Sequence, residues 1–240
     1  MYSFRTTHGP VELAFTDRYD GVSAVPFDSL DLALEGHDDP TDVSRNLGLL
    51  LADFAPSGRL ADMRQVHGVD VAEADPGSAR PACDGLVTDR AGVVLMVRAA
   101  DCVPVLLADG AAGVLGAAHA GRQGVRAGIV TATVDRMRQL GAREVTGWIG
   151  PHVCGACYEV PEQMQAEVAA AEPATLSRTS WGTPSLDLGA GVRAQLERTG
   201  VTVVDASRCT RESADLFSYR RDGREAGRMA GLVVLKGSLP

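Results

Sequence analysis

One cysteine and two histidines have the residue types and the spacing to bind a metal ion: His67, Cys102 and His119. Two apolar runs, Val103 to Leu107 and Val114 to Ala118, are predicted to form a β-hairpin closed by the loop Asp109 to Ala112. In the register that this loop favours, Ala108 pairs with Gly113, and Cys102 then lies directly opposite His119 on one face. Such a separation suits two ligands of one tetrahedral ion.

A third ligand is predicted from Gln65-Val66-His67-Gly68, a break between two apolar runs. Three protein ligands leave one coordination position open, which is typical of a catalytic zinc ion that activates water. Asp84 and Asp101 are then predicted either to orient the ligands or to move protons. The alternative is that the three residues are packed core side chains without a metal.

The other cysteines carry less information. The chain has five in all and shows no secretion signal, so we expect reduced thiols or metal ligands and not a disulfide framework. Cys154-Gly-Ala-Cys157 has the spacing of half a zinc ribbon or of a redox pair, but no second CxxC exists. We therefore assign it no function, and Cys83 and Cys209 are interpreted as structural thiols.

The elements that must position these residues indicate a layered α/β fold. Continuous apolar runs at Val93 to Val97, Val103 to Leu107 and Val114 to Ala118 imply strands buried on both faces. Helices are predicted at 42–54, 129–140, 162–171 and 188–198, and further strands at 11–15, 22–27, 60–64, 69–73, 201–204 and 232–235. The predicted organisation is a single domain over residues 1–240.

Composition limits the classes of partner. The net charge of -8 opposes nonspecific binding to nucleic acid or to an anionic membrane, since both need a basic surface. No segment approaches the roughly 20 apolar residues of a membrane span. We expect a cytoplasmic protein that acts on a small molecule, while the sequence leaves its oligomeric state open.

A set of ordered motifs closely resembles one known family, the laccase-domain or YfiH-like proteins, also called polyphenol oxidase, purine nucleoside phosphorylase or peptidoglycan editing factor proteins. The motifs span nearly the whole chain: Gln65-Val66-His67-Gly68, Asp84-Gly85-Leu86-Val87-Thr88, Ala100-Asp101-Cys102-Val103-Pro104, Ala118-His119-Ala120-Gly121, Ile149-Gly150-Pro151, Tyr158-Glu159-Val160, Cys209-Thr210 and Phe217-Ser218-Tyr219-Arg220-Arg221-Asp222-Gly223. The resemblance implies an α/β/β/α layered fold with mixed sheets, shared with the catalytic domain of cytotoxic necrotizing factor.

The resemblance also implies a zinc ion held by His67, Cys102 and His119. The implied activity is phosphorolysis of adenosine, inosine or methylthioadenosine, with adenosine deamination as a second activity. We predict Cys102, Asp101 and Asp84 as catalytic residues and Arg18, Gln65 and Arg220 as substrate contacts. Phosphate is expected near the arginines and at the helix start that follows His119.

Two departures from the family pattern affect the substrate site. Arg122-Gln123 replaces a usual Trp-Arg, and Asp20 replaces a usual glycine. Two other functions stay open: a metal-free hydrolase of cell-wall precursors, with Cys102 as nucleophile and His119 as base, and a copper-dependent polyphenol oxidase. The second is the weaker alternative, because five histidines are too few for a multicopper cluster.

Overall fold

The computed structural model describes residues 1–74, 76, 77 and 79–236. Its described strands form two large mixed sheets and one small hairpin. The strands are β1 (Tyr2–His8), β2 (Val11–Thr16), β3 (Arg59–Ala61), β4 (Val71–Glu73), β5 (Gly85–Thr88), β6 (Val93–Ala99), β7 (Val103–Asp109), β8 (Val114–Ala120), β9 (Thr146–Ile149), β10 (Leu176–Arg178), β11 (Pro184–Leu186), β12 (Thr202–Asp205) and β13 (Met229–Leu235). The α-helices are α1 (Pro40–Phe54), α2 (Arg122–Ala127), α3 (Ile129–Gln139), α4 (Glu162–Ala171), α5 (Leu188–Arg198) and α6 (Tyr219–Asp222).

The two large sheets pack face to face and form the two inner layers. Their strand orders are β1-β2-β13-β6-β3 and β12-β9-β7-β8-β5-β4. One apolar core lies between the sheets and includes Phe15, Leu95 and Leu106. A second core packs α1 on the outer face of the first sheet, and a third packs α2 to α5 on the outer face of the second. The predicted α/β/β/α layering with mixed sheets is therefore confirmed.

Capping residues set the ends of the predicted helices. The Asp39 side chain accepts a hydrogen bond from Thr41 N at 2.7 Å, and Pro40 occupies the first turn, so α1 begins there. Gly141, with φ of 104°, follows the end of α3 in the left-handed conformation that glycine adopts at little cost. Within the described part of the chain, no helix combines the length and the apolar character needed to cross a bilayer.

The central hairpin differs from the predicted register. β7 and β8 extend to Asp109 and Val114, and these two residues form the last pair before the turn. His119 consequently pairs with Pro104 and not with Cys102. The error arose because Asp109 was assigned to the loop, whereas it ends the strand and its carboxylate binds the turn at Ala111 N and Ala112 N.

Pro104 occupies a strand that has neighbours on both sides, where a missing N–H normally weakens the ladder. Its carbonyl accepts a hydrogen bond from Gly150 N at 2.9 Å. The N and O of one residue in a strand point to the same side, so the missing donor faces β9. At that point β9 has already ended at Ile149, so no β9 residue lacks a hydrogen-bond donor. The pairing of Pro104 with β8 is unaffected.

The predicted strand over 22–27 is wrong. This segment consists of turns and bends, and Val25 is 81% exposed. Local hydrogen bonds, including Phe27 N to Ala24 O and Ser23 N to Ser29 O, replace a sheet ladder. The segment contains apolar residues, but no described strand lies beside it to form sheet hydrogen bonds.

Candidate metal centre and cavity

The structure brings His67, Cys102 and His119 together, although they come from three separate segments. His67 lies in the loop between β3 and β4, Cys102 in the short link between β6 and β7, and His119 in β8. Their ligand atoms all lie within 4.8 Å of one another. Cys102 Sγ is 3.9 Å from His67 Nε2, and the two imidazole rings meet edge to face with centroids 4.8 Å apart.

Cys102 reaches His119 diagonally across the hairpin. It lies two residues before Pro104, the partner of His119, and diagonal positions on one face remain within side-chain reach. Gly121 completes the arrangement, because a Cβ atom there would lie 2.8 Å from His67 Cδ2 and 3.2 Å from Cys102 Sγ. The cluster therefore requires a residue without a side chain at this position.

Asp84 orders both histidines from behind. It is fully buried, and its carboxylate accepts hydrogen bonds from the backbone N–H groups of Val66, His67 and Gly68 at 3.1, 3.0 and 2.6 Å. These bonds hold His67 at a positive φ of 61°, which a non-glycine residue rarely adopts. The Nδ1–H of His119 donates to the same carboxylate at 2.8 Å, which leaves Nε2 of that ring available as a ligand atom.

The charges of the cluster support one another. Burial alone would raise the pKa of the Cys102 thiol, but the positive charge and hydrogen bond of His119, together with those of His67, lower it to about 6. Burial would lower the pKa of His119, but the Cys102 thiolate and the Asp84 carboxylate raise it to about 9. The two shifts both favour a thiolate beside an imidazolium in the metal-free pair.

The donor set fits zinc. One thiolate and two imidazoles are ligands that zinc accepts, and the ligand atoms of a tetrahedral zinc ion lie about 3.5 Å apart. The observed separation of 3.9 Å between Cys102 and His67 is close to that spacing. His67 is exposed, Cys102 half-buried and His119 buried, so the three residues leave the solvent side of the cluster for a fourth ligand.

The cluster opens into a cavity of about 500 Å³. That volume lies within the range of small-molecule sites. Its wall includes four arginines and two tyrosines: Arg80, Arg98, Arg220, Arg228, Tyr158 and Tyr219. A cavity with this lining favours a substrate that is negatively charged or rich in hydrogen-bond acceptors.

Asp101 lies at the cavity wall beside Cys102. Its Oδ1 accepts hydrogen bonds from the hydroxyl groups of Thr210 and Ser218 at 2.6 and 2.7 Å, and its Oδ2 accepts one from Arg220 N. Asp101 also has a positive φ of 91°. These bonds fix the segment that carries Arg220 against the Cys102 link, so Asp101 positions Arg220 as well as lining the cavity.

The predicted substrate contacts fall into two groups. Gln65 and Arg220 line the cavity: the Gln65 amide exchanges two 2.8 Å hydrogen bonds with the backbone of Arg98, and the Arg220 guanidinium stacks over Tyr158 at 4.8 Å. Arg18 lies outside the cavity lining. Its guanidinium binds the main chain of Pro26 and Asp28 and stacks over Phe217 at 4.5 Å.

Sequence reasoning missed Arg98, Tyr158 and Arg228. Arg98 is only 6% exposed in β6, its Nη1 pairs with Asp62 at 2.5 Å, and its Nε and Nη2 have no hydrogen-bond partner among the described residues. Burial, followed by the negative charge of Cys102, raises the pKa of Tyr158, so its hydroxyl remains a donor. A charged residue inside the apolar run of β6 was the available signal for Arg98.

The departures from the family pattern have structural counterparts. The positive charge of Arg122 acts on Tyr158, where it opposes the burial that raises the pKa of the tyrosine. Arg122 begins α2, the helix start predicted to bind phosphate, but α2 has only six residues and Arg122 is outside the cavity lining. Asp20 adopts a positive φ of 69°, a backbone conformation for which glycine is the usual residue.

Comparisons with known proteins agree with this architecture. Residues 12–236 match the family model described as multi-copper polyphenol oxidoreductase laccase. A Streptomyces coelicolor protein named purine nucleoside phosphorylase is 52% identical over 98% of this chain and 100% of its own length. A Corynebacterium glutamicum protein of the same name is 43% identical over 98% of both chains.

Two crystal structures place the fold in the same group. YlmD from Geobacillus stearothermophilus superposes with a TM-score of 0.86 at 34% identity, covering 95% of this chain and 93% of that chain. The Bacillus licheniformis protein YfiH gives a TM-score of 0.86 at 29% identity, covering 94% and 93%. Sequence and structure together show that the chain belongs to the YfiH-like, laccase-domain family.

Proposed function

We propose that this protein is a zinc-dependent purine nucleoside phosphorylase. The observation that carries the proposal is the His67, Cys102 and His119 cluster, ordered by Asp84 and open to an arginine-lined cavity. Relatives that are up to 52% identical over nearly the full chain bear the name purine nucleoside phosphorylase. The proposed substrates are adenosine, inosine and methylthioadenosine, with inorganic phosphate as the second substrate.

In the proposed reaction, a phosphate oxygen forms a bond to C1′ of the sugar. The N-glycosidic bond breaks, its electron pair leaves with the purine, and a proton neutralises the base. Zinc, when bound by His67, Cys102 and His119, supplies Lewis-acid activation of an oxygen nucleophile or of a substrate oxygen.

The arginines of the cavity are the proposed phosphate site. Arg98 is buried, and its Nε and Nη2 have no partner in the described structure; such donors gain most from an anionic ligand. Arg220 and Arg228 add positive charge to the same wall. Arg18, which binds its own loop, is proposed to hold the shape of that loop and not to contact phosphate.

The two aspartates have different proposed roles. Asp84 is fully buried and acts through the histidines that it orients. Asp101 lines the cavity and can exchange a proton with a bound substrate. For the proposed second activity, adenosine deamination, water replaces the amino group of the purine as ammonia leaves, and Asp101 is the proposed proton carrier.

Incubation of the zinc-loaded protein with adenosine and phosphate tests the proposal. We expect ribose 1-phosphate in an amount equal to adenine plus hypoxanthine, with inosine from the second activity. Cys102→Ala should abolish both, while His37→Ala, which changes an exposed histidine outside the cluster, should abolish neither. Absence of adenine, hypoxanthine and ribose 1-phosphate above the Cys102→Ala background would reject the proposal.

A cysteine hydrolase is the second candidate, because the metal-free cluster has a specific feature that favours it. The pKa of Cys102 is lowered to about 6 beside His119, which is the condition of an activated thiol nucleophile. The substrate would be an amide of a cell-wall precursor. His67 separates the candidates: a hydrolase of this type retains activity in His67→Ala and without metal, whereas the zinc enzyme loses it.

Copper-dependent oxidation of phenols has weaker support. One thiolate and two imidazoles can hold a single copper ion, but reduction of dioxygen requires several coppers with many histidine ligands. The chain contains five histidines, and two of them join the cluster.

The five cysteines are free thiols, which suits the reducing cytoplasm that we propose as the site of action.

A further inference from the structure

A second group of metal-binding side chains lies at the ends of two parallel strands. β9 and β12 are parallel neighbours, so the loops that follow them leave the same edge of the sheet. A parallel bridge between His152 and Cys209 continues the pairing beyond both strands, with His152 N donating to Arg208 O and Thr210 N donating to His152 O. This pairing brings Cys154 and Cys209 to the same place.

Each loop supplies two ligands from a tight turn of the same spacing. In Cys154-Gly-Ala-Cys157 the turn is closed by Cys157 N donating to Cys154 O at 2.9 Å. In Cys209-Thr-Arg-Glu212 it is closed by Ser213 N donating to Cys209 O at 3.1 Å. The sequence has no second CxxC motif, but the structure places a CxxE motif in the corresponding position. This motif begins 52 residues after Cys157 in the sequence and is adjacent to it in space.

The ligand atoms converge. The three sulfur atoms and one carboxylate oxygen of Glu212 all lie within 4.8 Å of one another, and Cys157 Sγ is 3.4 Å from Glu212 Oε1. Sulfur atoms bound to one tetrahedral zinc ion lie about 3.8 Å apart.

We propose that Cys154, Cys157, Cys209 and Glu212 form a second zinc site, separate from the His67, Cys102 and His119 cluster. Three thiolates select a soft or borderline cation, and zinc accepts a carboxylate as the fourth tetrahedral ligand. Four protein ligands leave no coordination position for a substrate. The second site is therefore structural.

The two loops that this ion would link both lead to residues in the wall of the cavity. The first carries Val153 and Tyr158, and the second leads into the segment that carries Arg220. Gly155 fits the first turn tightly onto the start of α5, because a Cβ there would lie 2.8 Å from Asp187 Cβ. An ion at the second site would thus fix the spacing between Tyr158 and Arg220, whose stacked side chains line the cavity.

Cobalt binding distinguishes the two sites because thiolate-to-cobalt absorption grows with the number of thiolates. In His67→Ala/Cys102→Ala, which lacks the first cluster, we expect one Co²⁺ per chain with the absorption of about three thiolates and tetrahedral d–d bands. Adding Cys157→Ser should remove about a third of that absorption or abolish binding. The matched control Cys83→Ala, which changes a buried cysteine outside both clusters, should leave the spectrum unchanged.

Loss of cobalt binding in a cysteine variant could also result from misfolding. Glu212→Gln avoids this ambiguity, because Glu212 is exposed and its replacement should not disturb the fold. We expect it to keep the three-thiolate absorption and to weaken binding by about tenfold or more. Zinc analysis of the purified wild type should give two ions per chain, and one in Cys157→Ser. Absence of cobalt absorption in the double variant would overturn the second site. So would a disulfide between two of the three cysteines, if it forms again after reduction and repurification and is detected by peptide mass analysis.

Discussion

Asp84 links the two histidines of the candidate metal centre through a single carboxylate. Its oxygens accept three backbone N–H groups of the His67 loop and the Nδ1–H of His119. Burial would raise the pKa of Asp84, but the hydrogen bonds from His119 and the loop lower it, so the carboxylate stays ionised. A buried anion with four donors orients both ligands before any ion arrives.

Replacement of this carboxylate by an amide should weaken zinc binding. In Asp84→Asn, an NH₂ group replaces one carboxylate oxygen and cannot accept the hydrogen bonds that this oxygen accepts. We therefore expect a loss of about 10- to 100-fold in zinc affinity. Competition with a chromophoric chelator measures the affinity. Asp89→Asn, an exposed control, should not change it. An unchanged zinc Kd in Asp84→Asn would show that the histidines orient themselves without Asp84.

Gly121 provides a second test at the scale of one residue. In Gly121→Ala the new Cβ would lie 2.8 Å from His67 and 3.2 Å from Cys102, so one ligand must move. We expect at least a roughly tenfold loss of zinc affinity, because imposed displacement of a ligand costs more than 1.4 kcal/mol. The control is Gly48→Ala in α1, where a Cβ meets no atom within 4 Å and helix propensity improves. Equal zinc affinity in both variants would contradict the steric argument.

At the scale of elements, Asp109 joins the central hairpin to the loop between α3 and β9. Its carboxylate accepts Ala111 N and Ala112 N in the turn, and Arg143 N and Glu144 N at 2.7 and 2.9 Å in the loop. Burial opposes ionisation, but these four backbone donors lower the pKa of Asp109. The residue that the sequence placed in the loop is thus the one that fixes the hairpin register.

Asp109→Ala should lower the free energy of unfolding by about 1.5–3 kcal/mol, since backbone hydrogen bonds to a charged acceptor are lost. The wild-type contribution has a defined pH dependence: the folded pKa lies below the unfolded value of about 3.9, so the contribution is complete above that value and is lost as pH falls through the folded pKa. Urea unfolding at pH 7 and near pH 3 measures both effects. A destabilisation that is equal at the two pH values would contradict this assignment.

Periodicity and apolar runs predicted most elements that form the three cores. The helices α1, α3, α4 and α5 and the strands β6, β7 and β8 were found because each has a continuous apolar run or face. β1 was missed because it lies at the edge of its sheet and only partly buries its side chains. The segment 22–27 was assigned to a strand because residue types alone do not show whether a neighbouring strand exists.

At the scale of the whole molecule, the site depends on contacts between distant segments. The cavity combines Arg98 from β6, Tyr158 from the loop after β9, and Arg220 and Arg228 from the last quarter of the chain. The sequence identified His67, Cys102 and His119 because their residue types are rare and chemically specific. Arginine and tyrosine are common in many environments, so only the fold shows which of them meet in the cavity.

The core between the two sheets supports this assembly, and Leu106 lies at its centre without solvent exposure. Leu106→Ala should lower the free energy of unfolding by about 2–5 kcal/mol through lost burial and the resulting void. Leu49→Ala, at a residue that is 44% exposed, should cost much less. Denaturant unfolding of both variants compares them, and similar midpoints would indicate that the two sheets do not unfold as one cooperative unit.

The graded exposure of the three ligands of the first cluster has a consequence for metal exchange. Bulk solvent reaches His67 first and His119 last. An incoming metal ion should therefore contact His67 before the other two ligands. A competing chelator would reach a bound ion from that same side. The rate at which a bound ion enters or leaves should therefore depend on how easily His67 moves away from Cys102 and His119.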